Sequence, residues 1–296
     1  MKNLKYIMVM AGLLSMTMVG QNTTSIPQKE GNSISYLSTS LNYISDAIFM
    51  GRKDSISAPY LYPSVTYHHK SGFYGTGSFS YLTKPNDSRI DLFLASAGYD
   101  FSANNLSGDF SVTKYFFNEA SYNVISEIEA DITSSLRYDF GNIVNLALDA
   151  SIYFNKNSGS DFFLSSELSH DFLTTNHKFQ FSPMIELHFG SQNFYEEYYN
   201  FNRLGNGTRG TGKGKSNTTT TMVTTVTIQE SGKFNLMAIQ LSFPMWYSHK
   251  AITLSLLPML VLPQNGATIV ADTSVIKEDL ENTFYWMAGI SYKFGK

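Results

Sequence analysis

The chain has 296 residues, of which 43% are hydrophobic and only 15% are charged, and its formal net charge is −3. Cysteine is absent, which excludes a disulfide framework, thiol chemistry and a lipid attached through cysteine. The acidic balance also argues against nucleic acid as a partner, because binding to DNA or RNA depends on basic side chains.

The N-terminus has the pattern of a secretory signal peptide. Lys2 and Lys5 form a basic head, residues 6–19 form an apolar core, and Gly20 is small enough for a cleavage site. A membrane anchor is the alternative, but the apolar run is shorter than the roughly 20 residues that span a bilayer. We therefore expect a signal peptide at 1–20 and a mature domain at 21–296 with a net charge near −5.

Most of the mature chain alternates between apolar and polar residues with a period of two, which is typical of strands with unlike faces. Clusters of Gly, Pro, Asn, Asp and Ser divide it into twelve segments. The predicted strands are 34–43, 60–69, 73–82, 90–101, 108–117, 122–140, 144–154, 162–172, 178–189, 237–243, 252–262 and 284–294.

The hairpin at 121–154 shows the alternation most clearly. Even-numbered residues such as Ile132 and Leu136 are apolar, whereas odd-numbered residues such as Asp131 and Arg137 are polar. Two strands of this length exceed the five or six residues that are usual in soluble sheets. The pattern favours strands that face hydrocarbon on one side and water on the other.

The number of strands favours an all-β fold, a transmembrane up-and-down antiparallel β-barrel of twelve strands. Bacterial single-chain barrels have an even number of strands, short periplasmic turns and long outer loops. Twelve strands place the long loops, about 44–59, 190–233 and 263–282, together on the outer side, and the last two are the largest. The strand-like stretch 219–229 is then expected to lie in an extracellular hairpin. A soluble β-sandwich, the alternative, needs shorter strands whose apolar faces meet.

Three short stretches resemble a group of uncharacterised, porin-like outer-membrane β-barrel proteins of Gram-negative bacteria. They are 189–195 (FGSQNFY), 241–244 (LSFP) and 292–294 (YKF). The resemblance covers most of the mature chain and implies a barrel of about twelve strands in the outer membrane. It implies no catalytic residues. The terminal aromatic residue also resembles the signal that barrel-assembly machinery recognises.

Acidic residues recur on the inward face of the predicted strands between 122 and 189. Only Arg137 and Lys178 oppose them there. Walls of one charge sign bias which ions enter a pore, because low-dielectric surroundings focus the field. The alternative is that these acids are solvated without a task, or are paired with bases on other strands. This acidic wall comprises Glu127, Glu129, Asp131, Asp139, Asp149, Glu167, Asp171 and Glu186.

A glycine-rich basic stretch at 203–215 predicts a flexible surface loop. Its basic residues are Arg203, Arg209, Lys213 and Lys215. Because their charge is opposite to that of the acidic wall, we hypothesise that this loop folds into the lumen as a gate.

The sequence predicts no catalytic residues, no metal site and no cofactor. None of the six histidines forms the helical His-Glu-x-x-His pair of zinc proteases. Only His69 has serine two positions later, at Ser71 in a predicted short turn; outer-membrane phospholipases carry a pair with this spacing. The paired carboxylates lack a neighbouring nucleophile, so acid–base catalysis is not expected.

The leading functional prediction is a passive, porin-like channel for small neutral or cationic solutes. One alternative is a non-conducting surface anchor or binding scaffold that acts through the two large loops. A second alternative is an outer-membrane hydrolase. The partners expected are outer-membrane lipid, small solutes and barrel-assembly machinery; the sequence does not predict an oligomeric state.

Overall fold

Antiparallel strands account for nearly the whole of the structure, a computed structural model that describes residues 34–157, 159–203, 226–271 and 274–294. The predicted signal peptide at 1–20 lies outside these ranges. The strands are β1 Tyr36–Ile44, β2 Tyr60–His68, β3 Phe73–Leu82, β4 Arg89–Ala103, β5 Leu106–Phe117, β6 Ile128–Asp139, β7 Asn145–Asn155, β8 Ser160–Ser169, β9 Phe172–Leu173, β10 Phe179–Phe181, β11 Met184–Gly190, β12 Val226–Ile228, β13 Asn235–Ser242, β14 Met245–His249, β15 Ile252–Pro263, β16 Thr268–Ala271, β17 Ser274–Lys277 and β18 Thr283–Phe294.

The sheet closes into a twelve-stranded antiparallel barrel, as the sequence predicts. Each strand pairs with its neighbours along the chain, and β1 pairs with β18 to complete the ring. Three barrel strands consist of two pieces, β8 with β9, β10 with β11, and β13 with β14. Pro183 and Pro244 stand at two of these breaks, because proline cannot donate a ladder hydrogen bond.

The outer face of the barrel is apolar and its inner face is largely polar. Phe110 and Leu136 expose about half of their surface outward, at 52% and 47%. Hydroxyl pairs join adjacent strands on the inside, for example Thr133 with Ser151 at 2.9 Å. This alternation is the one that a barrel needs when lipid surrounds it. No helix in the described ranges is long and apolar enough to cross a membrane.

Loop lengths give the barrel a direction. Short turns join the strands at one end of the barrel. Leu37 pairs with Phe294 at this end, so the first barrel strand begins there and the last one ends there. Long connections lie at the other end; because bacterial barrels carry their long loops outside, we expect this end to face outward and call it the extracellular end. The stretch β12 pairs there with β16 in a separate three-stranded sheet and does not span the barrel.

The predicted start of the sixth strand is wrong. We expected it at Tyr122, but β6 begins at Ile128. The preceding segment turns into the barrel, where Val124 and Ile125 are buried. Tyr122 and Val124 fit the apolar alternation only by coincidence. They pack at the extracellular end of the barrel and do not belong to the strand.

Candidate functional site

The acidic wall lies mainly on the inner faces of β6, β7, β8 and β11. Register places Glu167 directly beside Ala147 on one side and beside Glu186 on the other. Glu186 in turn stands opposite Gln240 of β13. Carboxylates from neighbouring strands lie side by side here, because inward residues share one parity along each strand.

Arg137 neutralises part of this wall. Its guanidinium lies 3.2 Å from Glu167 Oε1 and 3.7 Å from Asp171 Oδ2. Arg137 also donates to Ser169 Oγ at 3.2 Å. Arg137 and Glu167 are both buried, at 2% and 4% side-chain exposure, so solvent does not screen this ion pair.

Neutral donors hold most of the other carboxylates. Gln240 donates to Glu186 Oε2 at 2.6 Å, and Tyr115 and Thr133 donate to Asp131. Asp139 accepts the backbone N–H of Asn142 at 2.6 Å and so closes a periplasmic turn. Asp171 accepts from Asn145 at 2.9 Å and from Ser182 at 2.6 Å. Asp149 also lies on the inner face, at 6% exposure.

Three placements differ from the sequence prediction. The register shifts between Ile128 and Ala130, and this bulge turns Glu129 outward, where it pairs with Lys114 on the exposed face. Glu127 is buried at the extracellular end, 3.9 Å from Lys156 Nζ. Lys178 lies in a periplasmic turn and does not oppose the wall.

The loop 45–59 between β1 and β2 crosses the lumen. Its residue Phe49 is fully buried, with ring centroids 5.8 Å from Tyr153, 5.3 Å from Phe163 and 5.1 Å from Phe194. Tyr153 belongs to β7, six places from β1 in the ring of twelve strands. Phe49 therefore touches the wall opposite the strands that carry it.

A two-residue turn forms the tip of this loop. Phe49 and Arg52 exchange both backbone hydrogen bonds at 2.8 Å, and Met50 and Gly51 have φ of 46° and 80°. Two positive φ angles are typical of a type I′ turn. A Cβ at Gly51 would lie 2.7 Å from Cβ of Pro263 at the end of β15, so this contact also requires glycine here.

Arg52 fixes the tip to the part of the mouth formed by β13 and the end of β15. Its guanidinium donates to the carbonyls of Met237, Gln264 and Asn265 at 3.3, 3.0 and 2.8 Å. It also lies 3.4 Å from Glu278 Oε2. Burial lowers the pKa of Arg52 and Glu278 opposes that shift, but arginine remains charged in proteins.

Glu278 connects this loop to the helical segment outside the barrel. The helix α1, Asn193–Glu197, continues into a π-helix at Tyr198–Arg203. Tyr195 donates to Glu278 Oε1 at 2.8 Å, and burial followed by the charge of Glu278 raises the pKa of that tyrosine. Asp161 of β8 accepts the backbone N–H of Phe194 at 2.8 Å and so holds α1 above the lumen.

Together these segments close the extracellular end with one apolar cluster, the mouth core. It takes inward side chains from strands all around the ring and adds the loops 45–59 and 118–127 and helix α1. Its members that come from outside the barrel strands include Ile48, Phe49, Met50, Val124, Ile125, Phe194, Tyr195 and Tyr198. Among the described residues, these side chains pack into one layer across this end of the lumen.

The predicted gate is a different segment from the one that fills the lumen. Arg209, Lys213 and Lys215 lie outside the described residues, and the side chain of Arg203 does as well. The gate role of these four residues stays a prediction. The sequence predicts a long outer loop at 44–59 but not its entry into the lumen, because its apolar residues show no period that would assign them to the interior.

Two further inward residues were missed by sequence reasoning. Lys114 lies in step with Phe110 and Val112 along the fifth strand, which left its faces ambiguous, so Asp109 was not assigned to the lumen. In the structure Asp109 is buried and faces inward. His188 is also buried and shares a hydrogen bond of 2.8 Å with Ser165 Oγ.

The Ser165–His188 pair lacks the carboxylate contact of a catalytic triad, because Nε2 of His188 has no hydrogen-bond partner in the described chain. Across the described ranges, no group of three or more His, Asp or Glu residues is arranged to hold a metal ion.

No family model and no curated protein matches the sequence. Among solved structures, the chain is similar to the KdgM porin, at a TM-score of 0.46 and 10% identity over 88% of this chain and 100% of that one. For the NanC porin the TM-score is 0.47 and the identity 11%, over 87% and 100%. For LpxR from Salmonella typhimurium they are 0.43 and 11%, over 86% and 99%. The fold assignment rests on the strand pairing and not on these similarities.

Proposed function

We propose that this protein is a gated, porin-like channel in the outer membrane of a Gram-negative bacterium, and that it passes small cationic or neutral solutes. The sign of the interior charge supports this proposal. Of the described residues, eleven acids but only two arginines, Arg52 and Arg137, and no lysine are buried. An interior of this kind attracts cations and repels anions.

The route runs from the periplasmic end, along the acidic wall, to the mouth core. A barrel of twelve strands is wider than the eight-stranded kind that side chains fill, and narrower than the large porins. Passage requires the tip of loop 45–59 to leave the far wall, because Phe49 and Arg52 occupy the path. The loop thus serves as the gate in this proposal.

The charge preference is tested by the reversal potential of the refolded protein in planar bilayers under a gradient of potassium chloride. We expect a potential of the sign that cation permeation gives, with severalfold preference for potassium over chloride. Glu186→Gln should reduce that preference, whereas Glu129→Gln, which removes an acid from the outer face, should leave it unchanged. A preference for chloride would contradict the proposal.

A non-conducting surface scaffold is the second candidate, and the mouth core itself favours it. An apolar plug tied to Glu278 would present the small sheet of β12, β16 and β17 as a stable outer surface. The two candidates differ in one observable. A scaffold stays silent in bilayers even after the contacts of Arg52 are removed, whereas a gated channel then conducts.

A further inference from the structure

One row of inward residues crosses five adjacent strands near the middle of the barrel. Asp109 of β5 stands opposite Ser135 of β6, which stands opposite Asp149 of β7. Asp149 stands opposite Ser165 of β8, and Ser165 opposite His188 of β11. We name this row the lumen belt.

The lumen belt contains buried polar atoms that have no hydrogen-bond partner in the described chain. They are Asp109 Oδ1, Asp149 Oδ1 and His188 Nε2, whereas Ser135 interacts with the Asp149 carboxylate. Each of these residues is exposed by 6% or less. Buried polar side-chain atoms nearly always have partners, so three unpaired atoms in one row indicate that a molecule from outside the chain completes them.

The chemistry of the belt selects a cationic donor. Two carboxylate oxygens accept only, and the imidazole nitrogen can accept as well. The unpaired donor Nε of Arg137 belongs to a guanidinium that already forms ion pairs with Glu167 and Asp171. A ligand that completes the belt therefore carries N–H or O–H groups and positive charge.

The spacing of the belt disfavours a bare metal ion. Asp109 and Asp149 lie two strands apart, which corresponds to roughly 9–10 Å along the sheet. The described residues do not converge into a metal-chelating group. Separated carboxylates suit an ion that bears separated N–H donors.

We infer that the lumen belt binds a small organic diammonium ion, with one ammonium group at Asp109 and the other at Asp149. This inference rests on the proposed channel function, because it treats the belt as part of a solute path. His188 Nε2 supplies a further acceptor along the same row.

Binding is coupled to opening. The unpaired atoms of the belt are inaccessible in the closed barrel. A ligand that reaches them must enter a widened, hydrated lumen, so it binds the open form in preference to the closed form. Such a ligand shifts the population toward the open form.

Isothermal titration tests the site directly. The refolded full-length barrel in a zwitterionic detergent is titrated with 1,4-diaminobutane at constant ionic strength, and 1,4-butanediol serves as the uncharged probe of equal length. We expect saturable binding of the diamine and none of the diol. The double variant Asp109→Asn/Asp149→Asn should bind about tenfold more weakly or less, because each change removes a charge-assisted contact.

The variant Glu129→Gln is the matched control, since it removes an acid of the same barrel on the outer face. It should retain the affinity of the unaltered protein. Circular dichroism shows whether each variant is folded. If the double variant is not folded, Asp149→Asn alone is titrated in its place. No saturable binding to the unaltered barrel, or equal affinity in the asparagine variant, would overturn the inference. Binding without any bilayer current would refute the channel and leave the site standing.

Discussion

Replacing Arg52 with methionine is expected to turn a closed barrel into a conducting one. Methionine keeps most of the side-chain volume but leaves Glu278 and three backbone carbonyls without their cationic donor. Removing one partner of a buried ion pair costs about 3–5 kcal/mol. We expect much of this cost to destabilise the closed arrangement of loop 45–59 relative to the open one. Single-channel recordings should show long-lived current steps that the unaltered protein seldom shows.

The matched control is Lys53→Met, which removes a neighbouring exposed base from the same loop. It should leave the closed state unaffected, because Lys53 lies at the surface. Glu278→Gln is a milder version of the test, since glutamine can still accept from Tyr195. If folded Arg52→Met protein is as silent as the unaltered protein, Arg52 does not hold the gate shut.

Replacing Arg137 with methionine is expected to destabilise the barrel itself, by about 3–5 kcal/mol. The loss arises because Glu167 remains buried without the guanidinium that lies 3.2 Å away. Adding Glu167→Gln in the same chain should recover much of the loss, since a neutral amide does not need that partner. Urea-induced unfolding of the barrel in lipid vesicles measures both variants.

The outer-face ion pair supplies the comparison for this second prediction. Lys114→Met leaves Glu129 in contact with solvent, where the two side chains are 42% and 53% exposed. Its effect should be small, because water solvates the remaining carboxylate and exposed pairs add little stability. If Arg137→Met and Lys114→Met lowered the free energy of unfolding equally, burial of the Arg137 pair would contribute nothing to stability.

The acidic wall shows where apolar–polar alternation predicts the direction of a side chain and where it fails. Asp131, Asp149 and Glu186 are buried on the inner face, where the alternation from each residue to its strand neighbours is regular. Glu129 follows the same parity but faces outward, since a one-residue bulge precedes Ala130. Alternation along the sequence cannot register a bulge, because the extra residue is defined by pairing with the neighbouring strand.

The partners of the carboxylates could not be predicted from the sequence. Arg137 and Glu167 are thirty residues apart, and they meet because β6 and β8 are next-nearest neighbours in the sheet. The sequence indicated that Arg137 opposes the acids, but not which acid it would reach. Register and the curvature of a closed sheet decide that distance.

The amino-acid sequence alone determined that the chain forms a β-barrel, how many strands it has and which faces meet lipid. Those properties follow from local alternation, which repeats within every strand. Only the tertiary structure decided that the extracellular end is closed and that Phe49 and Arg52 close it. Phe49 and Arg52 contact Phe163 and Glu278, which lie more than a hundred positions away along the chain. Such contacts cannot be predicted from the sequence, because a loop has no periodic pattern.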